Sequence, residues 1–147
     1  MSTDVSDSLL KLLTEVTRRF EAELNRSLRA ELDAELRPAH YAVFRYLEPG
    51  GSRVSVLADA AGMTQQSMGE LVTHLQRRGL VERRADPADR RARLVVATAA
   101  GRAAVAVAAG RIAEIEQRLR ADLGADALEL LRRTLAGARS SLAAAPG

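Results

Sequence analysis

Between positions 77 and 93 the chain carries seven guanidinium groups (Arg77, Arg78, Arg83, Arg84, Arg90, Arg91, Arg93) against three carboxylates (Glu82, Asp86, Asp89). Seven minus three leaves this segment at +4, which more than accounts for the formal +3 of the whole chain. Guanidinium groups stay protonated and bind phosphate or carboxylate through paired N–H donors. Their chemistry is binding, not proton transfer. Just upstream, in "TQQSMGELVTHLQRR", Gln66, Glu70, Thr73 and Arg77 recur at helical spacing, opposite Met68, Leu71, Val72 and Leu75. Ser67, Gly69, His74 and Gln76 flank that polar face. Gln pairs bidentately with adenine, Arg reads guanine or holds phosphate, and Thr or Ser serves either. Thr64, Gln65, Gln66 and Ser67 stand at the helix start, where backbone N–H groups and the helix dipole favour phosphate. Glu70 has two readings: it accepts from a cytosine amine, or it pairs with His74 one turn on. A polar helix face or a charge run alone is usually a solvated surface; the two side by side point to a nucleic-acid duplex.

Other chemistries lack their residues. There are two histidines, His40 and His74, and no cysteine. No H-E-x-x-H, Gly-rich phosphate loop or G-x-S-x-G occurs, so no catalytic residue, metal site or cofactor is expected. Without cysteine, disulfides and thiol oxidation are excluded. The start, "MSTDVSDSLLKLL", has no basic region before an apolar run, and no stretch approaches ~20 apolar residues. The expected setting is the cytoplasm, with no membrane partner. At 147 residues and 47% hydrophobic content, one domain is expected, its core aliphatic because aromatics are only 3%.

The elements that must position these residues are mostly helices. Leu9, Leu13, Val16, Phe20, Leu24, Leu28, Leu32 and Leu36 predict a first helix over 8–36, about 43 Å long. Steps of four drift the apolar stripe around the axis, so its two ends face different directions. One end packs on its own domain and the other on a second copy. A second helix starts at Pro38 and is stopped by Pro49-Gly50-Gly51. Arg53-Val54 reads as a short strand, and Ser55 as the cap of a third helix over 56–61 that ends at Gly62. Thr64 caps a fourth helix ending at Arg78, giving a helix-turn-helix pattern. A hairpin follows, with strands over 80–84 and 91–97 and a loop over 85–90; Thr98 then caps the next helix. Two terminal helices, broken at Gly124, carry heptad-like seams: Val105, Ala108, Ile112, Ile115, Leu119, then Leu128, Leu131, Leu135, Ala138, Leu142.

A helix-turn-helix followed by an Arg-tipped ribbon is a winged helix. Here the motifs become specific. Gly79-Leu80-Val81-Glu82-Arg83, then Asp86-Pro87-Ala88-Asp89-Arg90-Arg91, then Thr98-Ala99-Ala100-Gly101 resemble the wing of the multiple-antibiotic-resistance regulator (MarR) family: G-L-V-x-R, D-P-x-D-x-R and L-T-x-x-G. The resemblance runs the length of the chain. It implies a mainly α (α+β) fold: a winged helix-turn-helix region over 37–98, and dimerisation helices over 8–36 and 99–143. It implies a homodimeric, ligand-responsive transcription factor, most often a repressor, on a pseudo-palindromic double-stranded DNA operator. Its wing arginine corresponds to Arg91, oriented by Asp89, with Arg90 sharing the tip and Arg84 on the ribbon. With Thr64, Gln65, Gln66, Ser67, Thr73, His74 and Arg77 these make the expected DNA contacts. Leu9, Leu13, Val16, Ile112, Ile115, Leu119, Leu128, Leu131, Leu135 and Leu142 are the expected dimer contacts. Two positions depart from the pattern: Ala97 replaces the usual Leu before Thr98, and Glu70 stands where some members carry a basic residue.

Family members often hold small aromatic or phenolic acids between the dimerising helices and the winged region. Here that points to His40, Tyr41, Phe44 and Arg45, an apolar slot with a His and an Arg beside it. The competing reading of the same residues is core packing. The competing reading of the whole chain is a dimeric helical adaptor that binds protein and not DNA.

Overall fold

The computed structural model describes residues 8–32 and 35–144. Expectations for the first seven residues, and for 33–34 within the long first helix, lie outside them. The elements in order are α1 (Leu9–Glu31), α2 (Pro38–Tyr46), α3 (Val54–Ala61), α4 (Gln65–Arg77), β1 (Val81–Asp86), β2 (Asp89–Ala97), α5 (Ala99–Leu123) and α6 (Ala125–Ala143). The chain divides into two compact units, 1–111 and 112–147, with the division inside α5.

In the first unit the core belongs to the winged helix. Leu36, Val43, Leu57, Ala58, Met68, Val72, Leu75, Val81 and Val95 are buried together. Each large aliphatic side chain fully buried there contributes about 1.5–3 kcal/mol relative to exposure. This core also corrects the first helix. It ends at Glu31, not Leu36, and is about 35 Å long. Leu36, almost wholly buried, has left the helical stripe to join the core, and that burial outweighs local helix preference. What remains of the stripe is two-ended as expected: Leu24 and Leu28 are buried, while Leu9, Leu13 and Val16 are exposed.

Local punctuation explains most boundaries. Pro38 takes the first position of α2. Gly62 ends α3 with φ +66°, a left-handed turn that a side chain would oppose, and so lets α4 start three residues later. Thr64 Oγ1 accepts the Ser67 N–H at 3.1 Å. The strand expected at Arg53-Val54 is displaced by one residue. Ser52 exchanges both backbone hydrogen bonds with Val95 (3.0 and 2.8 Å), Arg53 caps α3, and Val54 begins it. Ser55 therefore lies inside the helix, and the buried Ser52 hydroxyl accepts the Glu48 N–H.

β1 and β2 pair antiparallel over a longer ribbon than expected, leaving only Pro87-Ala88 as the turn. The register runs Val81↔Ala97 to Ala85↔Arg93, then jumps to Asp86↔Asp89. One step on β1 thus matches four on β2, so Arg90, Arg91 and Ala92 form a bulge. Thr98 caps α5 by accepting the Gly101 N–H at 3.0 Å. Gly101 itself presses on the Leu80 backbone: a Cβ there would stand 2.0 Å from the Leu80 carbonyl oxygen.

In the second unit, Arg132 of α6 pairs with Glu116 of α5 at 3.4 Å. Ile115 and Leu128 are buried, Ile112 and Leu119 half-buried, and Leu131, Leu135 and Leu142 exposed.

Candidate nucleic-acid interface

Met68, Val72 and Leu75 anchor α4 in the core with no exposed surface. That fixes the rotation of the helix and turns Gln65, Gln66, Ser67, Glu70, Gln76 and Arg77 to solvent. Gln66, Gly69, Glu70, Thr73 and Arg77, with Arg83 from β1, line an open recess of about 420 Å³. Two of the expected residues sit differently. Thr73 is half-buried and donates its hydroxyl to the Gly69 carbonyl at 2.9 Å. His74 turns inward: its ring stacks on His40 with centroids 4.5 Å apart and 30° between planes. The ring fills the join between α2 and α4, and the polar face is left without it.

Arg83 was not among the expected contacts, and it proves central. Its Nη1 donates to Gln76 Oε1, and its Nη2 to the Gly69 carbonyl and Thr73 Oγ1, both at 3.3 Å. The wing and α4 are thereby tied through one side chain. The signal was present in the strand period: Val81 points into the core, so Arg83, two residues on, shares its side. Arg84 lies on the opposite side and pairs with Glu82.

A second tie holds the wing tip. Asp86 is buried, and its Oδ2 accepts from Arg53 Nε and Nη2 at 3.0 and 2.8 Å. Its Oδ1 accepts the Ala88 N–H at 2.9 Å, closing the turn. The Ala88 N–H first, then the Arg53 guanidinium, hold the carboxyl below its ordinary range, against the opposing effect of burial. Asp89 Oδ1 accepts the backbone N–H of Arg91 at 3.0 Å, so it orders the bulge, not the guanidinium. Arg90 and Arg91 are exposed, and no acidic side chain among the described residues pairs with either.

The four residues expected to hold a ligand are divided among different surroundings in the described residues. His40 is buried, and its Nδ1 accepts the Arg37 N–H at 2.9 Å, capping α2. Tyr41 and Arg45 line a recess of about 10 Å³, and Arg45 pairs with Glu21 at 3.8 Å. That space is far below the ~300 Å³ of a small-molecule site. Phe44 borders a cavity of ligand size, about 310 Å³, with Leu47, Glu48, Pro49, Ala97, Arg102 and Val105. Ala97 is the position where the family pattern has Leu, so this wall lacks three carbons. Arg102 Nη1 donates to the Ala97 carbonyl at 3.0 Å, leaving its other donors available. A second apolar cavity of about 290 Å³ lies between Leu32, Leu36, Leu80, Ala103, Ala104 and Val107. Among the described residues, no three His, Asp or Glu gather as a metal site, and no helix is long and apolar enough to cross a membrane.

Comparison with known proteins finds relatives in one family of regulators. Residues 35–92 match the model of the MarR family. The transcriptional regulator HosA of Escherichia coli O111:H- is 35% identical over 95 residues, 63% of each chain. The aligned part therefore spans less than two thirds of that regulator. CouR of Rhodococcus jostii RHA1, solved with p-coumaroyl-CoA, is 29% identical with a TM-score of 0.74, covering 91% of this chain and 93% of its own. The repressor CouR on a 23-mer DNA duplex is 28% identical with a TM-score of 0.76, covering 93% and 96%.

Proposed function

We propose that this chain, residues 35–92 of which match the MarR family, is a transcriptional regulator of that family, a homodimeric repressor that leaves its operator when a small ligand binds. The observation that carries the reading is the exposed polar face of α4 standing beside an arginine-tipped wing, the two tied by Arg83. In this reading α4 enters the major groove, with Gln66 and Arg77 toward base edges and Thr64, Gln65 and Ser67 toward phosphate. Arg90 and Arg91 reach the adjacent minor groove, where a narrow width concentrates negative potential. A dimer sets two such helices one turn of DNA apart, ~10 bp.

The second copy is called for by apolar surface. Leu9, Leu13 and Val16 on α1, and Leu131, Leu135 and Leu142 on α6, are all exposed, and apolar patches of that kind mark interfaces. CouR has been solved both on DNA and with an aromatic acyl-CoA. In this chain the cavity beside Phe44 fits a smaller ligand, a largely apolar acid with its carboxylate on Arg102. The cytoplasm, where the DNA is, is the working compartment.

The test is a gel-shift titration against DNA flanking this protein's own gene at two salt concentrations, with sedimentation alongside. The expected result is a dimer whose binding weakens steeply with salt, and a monomer when Leu131 and Leu135 are both changed to Asp. Duplex binding indifferent to salt, or an intact chain that sediments as a monomer, would overturn the reading.

A further inference from the structure

We propose that Glu70 reads a cytosine, its carboxylate accepting a hydrogen bond from the exocyclic amine of one C in each half of the bound duplex. The assignment rests on the reading of α4 as the groove helix. Glu70 is exposed, midway along the outer face of α4, on the wall of the recess it shares with Gln66, Thr73 and Arg77. A carboxylate facing a polyanion is repelled by it, so the position is tolerable only if a cation or a base donor compensates.

Among the described residues no cation pairs with it, although Arg77 and Arg83 line the same recess. The side chains within reach along the helix are Gln66, Ser67, Thr73 and His74. Ser67 is hydrogen-bonded to the Thr64 hydroxyl, and Thr73 to the Gly69 carbonyl. His74, the partner that sequence spacing offers, is stacked on His40 instead. Arg83, which lines the same recess, directs its guanidinium to Gly69, Thr73 and Gln76. Glu70 forms no ion pair among the described residues. A base donor is what remains. Of the four major-groove edges, cytosine alone presents an amine with no acceptor beside it. Adenine sets N7 next to its amine, and guanine and thymine present acceptors that repel a carboxylate. Gly69 brings no side chain to hold the helix off the bases, and the space where its Cβ would stand is open.

The experiment is selection from a randomised duplex pool with the wild-type chain, Glu70→Ala and Glu70→Gln, each first shown to melt like wild type. The wild-type motif should hold one fixed C·G pair in each half, symmetrically placed. Glu70→Ala should lose about tenfold in discrimination at that pair alone, while its affinity for unrelated duplex rises as the repelling charge is gone. Glu70→Gln should shift that position toward adenine, which an amide pairs bidentately. A Glu70→Ala motif identical to wild type, with equal discrimination, overturns this assignment alone. A wild-type chain that binds the pool but enriches no motif overturns it together with the sequence-specific reading above.

Discussion

Replacing Arg90 and Arg91 together by alanine removes two exposed guanidinium groups from each chain without opening a buried contact. Both lie in the bulge of β2, outside the regular register, and neither has an acidic partner among the described residues. A two-fold dimer loses four charges at its wing tips. Each phosphate neutralised contributes ~0.9 to the slope of log K against log salt, so the slope should flatten by up to about 3.6. Raising salt from ~50 to ~200 mM should then cost the variant about a hundredfold less affinity than it costs the wild type. At the low-salt end the variant binds weakly to every sequence alike, since the lost contacts carry little base information. Its stability should stay within ~0.5 kcal/mol, as for surface changes generally. Fluorescence anisotropy on a labelled duplex across salt gives the slope, and a thermal melt gives the stability. A slope altered by less than about one would refute the wing assignment. A large fall in Tm would show that the arginines hold the fold and not the DNA.

Two further predictions concern how the wing is held. The Asp86 carboxyl is depressed by the Ala88 N–H and Arg53, so its contribution is complete above the unfolded value near ~4 and is lost as pH falls through the lower folded value. Amide exchange at the wing, referenced to intrinsic rates, should therefore stay flat from about pH 8 to about pH 5 and rise only below about pH 4. Asp86→Asn should show the loosened wing at every pH, and unchanged protection in that variant would count against the Arg53–Asp86 tie. Gly101→Ala drives a Cβ to 2.0 Å from the Leu80 carbonyl oxygen. Because the obstacle is backbone, the cost should reach the upper end of the ~1–3 kcal/mol range or exceed it, lowering Tm by roughly 5–10 °C. An unshifted melt would mean that α5 is not seated on Leu80.

Features that depend on near neighbours were legible in the amino-acid order alone. The Thr64 cap, the Gly62 turn, the Pro38 start and the Gly124 break were readable because each is settled within a few residues of itself. The buried face of α4 was readable because Met68, Val72 and Leu75 repeat at the helical period. Tertiary structure decided the rest. Leu36 lies outside its expected helix, buried in the winged-helix core. Arg83, not Arg84, crosses to α4 because the register sets which side of the ribbon each occupies. His74 faces His40 and Asp86 grips Arg53 across 34 and 33 residues of chain. The ligand-sized cavity forms where Phe44, Ala97 and Arg102 meet, at the far end of α2 from His40. Periodicity states which face of an element is buried; which residue of another element it meets there is set by how the elements pack.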